Sequence, residues 1–235
     1  MLDLITFTPA QAAKITGVNV ALQRDWRRRG ILPPSEGRTK FTAFAVAEML
    51  ALSALAAQTI GPQQFKPIAS SLGAGIVASA LRDRGAYSGE DIDAVVNSED
   101  EGILARLLIT NPVDRERELW EWRAAWLGRA ILGAAGHDPR AIRTTFIQWA
   151  EGSFAFYNGP IQPFEQIDAA DPRRAGAIVM LDLEALGAVL LKRAGPLVEV
   201  GPIAPLFDNQ GPRSLMKQVQ ATLAADMLQH AKDKS

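Results

Sequence analysis

Gln23, Arg24, Arg27 and Arg28 recur at intervals of three and four, so on a helix they form one polar side made of amide and guanidinium groups. A guanidinium is a planar fork of N–H donors that pairs bidentately with a phosphate, or with the O6 and N7 of guanine in a major groove. Asn19, just ahead of these residues, adds another hydrogen-bonding side chain. Further on, Arg38 and Lys40 lie two apart and share one face of an extended segment, where they act on phosphates electrostatically. The chemistry of this set is recognition of a polyanion. An arginine run has a plainer reading as a solvated helix face, so the surrounding elements must decide.

Catalytic and metal chemistry find no comparable set. The chain has no cysteine, which excludes thiolate metal sites, disulfides and a cysteine nucleophile, and its two histidines, His137 and His230, stand far apart. There is no glycine-rich phosphate loop. Asp182 and Glu184 come nearest to a carboxylate pair, but at a strand-to-helix junction they cap the helix and complement its dipole. No enzyme, metal or cofactor is expected.

The elements that position the basic residues can be read from local signals. Thr8-Pro9-Ala10-Gln11 has a capping threonine, a proline at the first helical position and a glutamine three residues after the cap, which predicts a helix over 9–16. Gly17 supplies a tight turn, Asn19 caps a second helix over 20–29, and Gly30 ends it. Leu22 and Trp26, four apart, are expected to face Ala12, Ala13 and Ile15 of the first helix, leaving the polar side outward. This is a helix-turn-helix. Ile31-Leu32-Pro33-Pro34 must be extended, Ser35-Glu36-Gly37 turns, and Arg38-Thr39-Lys40-Phe41 returns as a short strand, which together make a wing. Thr42 then caps a helix with Phe44, Val46, Met49, Leu50, Leu52 and Leu55 as its apolar residues.

In order and spacing, FTPAQAAKITGVN, WRRRGILPP and GRTKFTAFAVAEMLAL resemble the winged helix-turn-helix of the MerR family, over roughly the first 57 residues. The resemblance implies duplex DNA binding. It extends into 59–72 as a further short helix, which Pro67 interrupts. Gln23 stands where the family has an apolar residue, Asp25 where it often has an aromatic one, and the wing reads Gly-Arg-Thr-Lys-Phe in place of Gly-Tyr-Arg-x-Tyr, so no base preference carries over. Family members commonly dimerise through a long helix after this module and sense metals or drugs, often with cysteines. Here cysteines are lacking, and Gly73, Gly75, Gly85 and Gly89 break 73–100 into pieces too short for such a helix.

At 235 residues the chain suggests a small module, 1–72, and a larger one, 73–235. Charge divides along the same line: 1–72 carries eight basic against four acidic residues, and the remainder is left with a net −5. A basic head on an acidic body is expected when one module alone meets a polyanion. The long apolar stretch 43–60 holds Glu48 and Gln58 and reads as a soluble helix. MLDLITFTPA lacks the features of a signal peptide, so a cytoplasmic location without membrane association is expected.

Beyond residue 72, short helices are expected up to Asn111-Pro112, one of them over 88–96. Leu119, Trp122, Trp126, Leu127, Ala130, Ile131 and Ala134 predict an amphipathic helix over 116–135. A second helix starting at Asp138-Pro139, with Ile142, Phe146, Trp149 and Ala150 as its stripe, is expected to pair with it antiparallel. Four of the five tryptophans fall in this pair, as core or as the lining of a pocket or interface. Then come a hairpin (154–157, an Asn158-Gly159 turn, 161–164), a strand at 177–181, a helix over 183–193 interrupted at Gly187, a strand at 197–200, and a final helix over 212–231. The strands and helix around 177–200 should form a small sheet with a helix on it.

The expected fold is mainly α, with an N-terminal winged helix-turn-helix and a small α+β C-terminal unit. Its expected role is that of a DNA-binding transcriptional regulator acting as a homodimer, the C-terminal part meeting an unknown effector or protein partner. Two alternatives are a phage-type architectural or packaging factor, and a protein-interaction adaptor with a helix-turn-helix fold.

Overall fold

The computed structural model describes residues 2–32, 40–58, 61–89, 112–159, 167–168 and 170–200. Two short strands, β1 (Leu2–Leu4) and β2 (Thr6–Phe7), lead into α1 (Pro9–Thr16) and α2 (Val20–Arg28), followed by β3 (Phe41–Thr42) and α3 (Ala43–Ala56). After α4 (Pro62–Phe65) and a 3-10 turn at Lys66–Ile68 come α5 (Ala69–Ala80) and β4 (Tyr87–Ser88). The rest comprises α6 (Pro112–Ala134), β5 (Thr145–Trp149), β6 (Phe154–Tyr157), β7 (Ile178–Asp182), α7 (Leu183–Ala194) and β8 (Val198–Val200). The described residues thus combine helices with small sheets.

α3 lies at the centre. Thr42 caps it by accepting from the Ala45 N–H, and Phe44, Val46, Met49, Leu50, Leu52 and Leu55 are all buried, as their pattern predicts. Ala43, Ala47 and Ala51 are also fully buried, so the helix is enclosed on more than one face. Its main neighbour is α5, and α1, α4 and α7 also pack on it. Residues 72 and 73 are consecutive in α5, and one set of buried side chains runs from Phe7 to Val200, so no linker marks the expected division there.

The expectation that Gly73 and Gly75 break the chain is corrected: both lie inside α5. They serve close packing. A Cβ on Gly73 would stand 2.6 Å from Glu48 Cγ and 3.1 Å from the Phe44 carbonyl, and one on Gly75 would stand 2.6 Å from the Arg143 carbonyl. Gly187 likewise does not interrupt α7 but lets it approach the Ile76 carbonyl, 2.9 Å from where a Cβ would be. Each glycine costs up to about 1 kcal/mol in helix propensity, which tight contact between helices offsets. Pro67 does separate α4 from α5, as the 3-10 turn around it shows.

Glu48 is mostly buried where α3 meets Gly73, and desolvation raises its carboxyl from 4.5 to about 6. The folded protein then holds a proton that the unfolded chain releases between about pH 4.5 and 6, so stability falls as pH rises through that window. Above it, the ionised side chain costs the fold about 2 kcal/mol. Glu48→Gln is therefore expected to exceed the wild type in urea denaturation by about 2 kcal/mol at pH 8 and by almost nothing at pH 4. A difference independent of pH would refute this account of Glu48.

The segment 138–150 departs from its expected structure. Asp138-Pro139 makes a single turn, in which the Ala141 N–H donates to the Asp138 carbonyl, and residues 145–149 then form β5. Thr144, Thr145, Phe146 and Ile147 are β-branched or aromatic, suited to a pleated strand. β5 is the middle strand of an antiparallel sheet ordered β6-β5-β7, with Phe146 opposite both Phe156 and Leu181. Having neighbours on both sides, it is buried along its whole length. The antiparallel helix pair is therefore absent, and Trp149 belongs to the sheet, where Arg173 lies over its ring.

α6 matches the helix expected at 116–135 and turns Ala124, Leu127, Ile131 and Leu132 inward. Trp120 packs edge-on against Tyr87, and its Nε1 donates to the Arg82 carbonyl. The strands around α7 do not share one small sheet. β7 joins β5, whereas β8 runs between β1 and β4, antiparallel to the first and parallel to the second, in the order β1-β8-β4. Ser88 lies in β4, and residues 90–96, 161–164 and 212–231, where a helix, a hairpin strand and a final helix are expected, lie outside the described residues. Asp182 caps α7 by accepting from the Glu184 and Ala185 N–H groups, as its position suggests.

Candidate nucleic-acid interface

α1 and α2 are held by short-range hydrogen bonds. At the start of α1 the Thr8 N–H donates to Gln11 Oε1 (2.8 Å) and the Gln11 N–H to Thr8 Oγ1 (3.3 Å), completing the capping box. Gly17, at φ 78°, takes the left-handed conformation that turns the chain, and Asn19 Oδ1 accepts from the Leu22 N–H to begin α2. Gly30, at φ 66°, reverses the chain after α2, and the Ile31 and Leu32 N–H groups both donate to the Trp26 carbonyl. The pair is braced from behind: Arg193 of α7 donates to the Ile15 carbonyl at 2.8 Å.

The inward face of α2 differs from the expected one. Trp26 is buried as expected, but its companion is Gln23, 1% exposed, rather than Leu22. Gln23 Nε2 donates to the carbonyls of Pro9 (3.0 Å) and Val18 (2.8 Å), so it ties α2 to the start of α1 and to the turn that follows α1, and is unavailable to a ligand. Leu22 is instead 38% exposed. Geometry accounts for the exchange: Gln23 and Trp26, three apart, flank the line of contact, and the Gln23 amide N–H groups find the Pro9 and Val18 carbonyls there, which a leucine could not use.

Arg27 occupies an intermediate position. Its guanidinium stacks on the Phe41 ring, 4.5 Å from the centroid, and partial burial lowers its pKa. Nε and Nη2 are buried without a hydrogen-bond partner among the described residues. Arg24 is exposed. Arg28 is exposed too and pairs with Asp25 at 2.6 Å, and Arg29 approaches the same carboxylate at 3.5 Å. Asn19 and Lys40 are exposed, while Arg38 lies outside the described residues.

The outer surface of α2 therefore brings together Asn19, Arg24 and Arg28, with Arg27 at its edge. Three residues omitted from the expected set join it. Asp25 organises two arginines, Arg29 adds a cation, and exposed Lys66 stands 3.3 Å from the position of a Cβ on Gly30, extending positive charge beyond the end of α2. At 100° per residue, Asp25 falls well away from the Gln23–Trp26 side and Arg29 about a quarter-turn from it, a signal present in the sequence once that side is known.

Of the segment expected to form a wing, 31–41, only Ile31, Leu32, Lys40 and Phe41 are described. Lys40 is exposed and Phe41 buried, in the expected alternation, and Phe41–Thr42 pairs antiparallel with Thr6–Phe7. Residues 33–39, which carry the rest of the expected wing, lie outside the described residues.

Among the described residues no group of three or more histidine, aspartate and glutamate side chains could hold a metal ion, and no helix is long and apolar enough to cross a membrane. Comparison with protein-family models, curated proteins and solved structures finds no match.

Proposed function

We propose that this protein is a sequence-specific transcriptional regulator that binds duplex DNA as a dimer through a MerR-like winged helix-turn-helix, with α2 in the major groove and the segment around Lys40 along the backbone. One observation carries the reading. Two capped helices joined by the Gly17 turn leave Arg24 and Arg28 on the exposed side of the second, while the side facing the first is closed by Trp26 and Gln23. Exposed guanidinium groups on a mounted helix suit phosphates and guanine edges. The dimer follows from the pairing of half-sites usual for such modules.

Selection of bound duplexes from a random pool, followed by a salt titration of the best binder, tests this reading. The expected result is a paired motif whose association constant falls steeply with salt. Tight, salt-dependent binding without a motif would replace it with an architectural or packaging role. No binding at low salt would refute the DNA reading and leave the adaptor in its place.

A further inference from the structure

Only three large apolar side chains among the described residues are conspicuously exposed, and two of them, Phe154 and Met180, belong to the β5 sheet. The third is Leu22, in the first turn of α2. That turn is the part of a recognition helix that reaches base edges. The contact between α1 and α2 does not enclose Leu22, because Gln23 and Trp26 close it. Leu22 thus presents an apolar group on a surface otherwise dominated by charge. The apolar feature of the major groove is the C5-methyl group of thymine.

We infer that Leu22 is a specificity-determining residue that packs against a thymine methyl group in the major groove, an inference that rests on the duplex-DNA reading above. Leu22 and Arg24 are about 160° apart around the helix, so they flank its outer surface on opposite sides. A guanine read by Arg24 and a thymine read by Leu22 then belong to different base pairs, and the site contains both.

The test uses the full chain and a selected duplex in which each thymine is replaced singly by uracil, which lacks only the methyl group. At one position uracil is expected to weaken wild-type binding about fourfold, the equivalent of one buried methyl group. Leu22→Ala is expected to bind the thymine duplex more weakly by at least that factor and to be indifferent to uracil there, while still unfolding in one cooperative thermal transition at a slightly lower midpoint, since the side chain is 38% exposed. A wild type indifferent to every exchange, or an equal uracil penalty in both proteins, overturns the inference while duplex binding stands. A wild type that binds no duplex overturns the DNA reading itself, and the inference with it.

Discussion

Alanine in place of Gly75 is expected to destabilise the fold by about 2 kcal/mol, and alanine in place of Gly128 to stabilise it by about 1 kcal/mol, although both glycines lie inside helices. Helix propensity favours alanine at both positions by up to about 1 kcal/mol. Surroundings decide the sign. A Cβ on Gly75 would stand 2.6 Å from the Arg143 carbonyl oxygen and 2.6 Å from Leu183 Cδ1, and the carbonyl belongs to the backbone just ahead of β5, which cannot yield without moving the sheet. Overpacking of this kind costs about 1–3 kcal/mol, outweighing the propensity gain. At Gly128 the nearest atom, Leu81 Cβ, is 3.8 Å away, an ordinary contact. Urea denaturation of the two variants checks the pair, and stabilisation by Gly75→Ala would show that α5 and the β5 sheet are not packed as described.

Arg24→Ala and Asp25→Asn are expected to move DNA binding in opposite directions. Among the described residues Arg24 forms no ion pair, Asp25 being turned to Arg28 and Arg29, and losing a bidentate contact to guanine costs about 1–3 kcal/mol of discrimination at that base. If Arg24 meets a phosphate instead, the loss is uniform across sequences and the slope of log K against log salt falls by about 1. Asp25 restrains Arg28 and Arg29 and contributes a negative charge to the same surface. Its neutralisation frees both guanidinium groups, so Asp25→Asn should bind unselected duplex more tightly and with a steeper salt dependence. Titrations at several salt concentrations separate these outcomes. Weaker binding by Asp25→Asn would mean that the ion pair positions Arg28 productively rather than withholding it.

Arg27 behaves differently from its neighbours because its guanidinium stacks on Phe41, so its removal disturbs packing as well as charge. Binding lost by an Arg27 variant would thus not by itself identify a DNA contact.

The candidate surface was partly legible in the sequence. Arg24 and Arg28 fall on the outer side as their spacing predicts, but Gln23 and Leu22 exchange places, since neighbouring residues at the border of two faces cannot be assigned from polarity alone. Gln23 turned inward because the Pro9 and Val18 carbonyls lie within reach of its amide, and their position depends on how α1 is set against α2. The segment 138–150 failed for a related reason: Ile142, Phe146 and Trp149 fit helical spacing, while the alternative pattern of a strand buried on both sides has no periodicity to detect.

By itself the sequence determined the starts and turns of its first three main helices, because Thr8, Asn19 and Thr42 each cap a backbone N–H three residues ahead and Gly17 and Gly30 need only their own left-handed conformation. These are interactions within a few residues, independent of the rest of the chain. Tertiary structure alone decided that Gly73, Gly75 and Gly187 mark contact rather than breakage, that 145–149 is a strand, and that β1 closes on β8 from the far end of the described chain. Those outcomes depend on partners distant in sequence: a strand gains its ladder, and a helix glycine its close neighbour, only when the other element is in place.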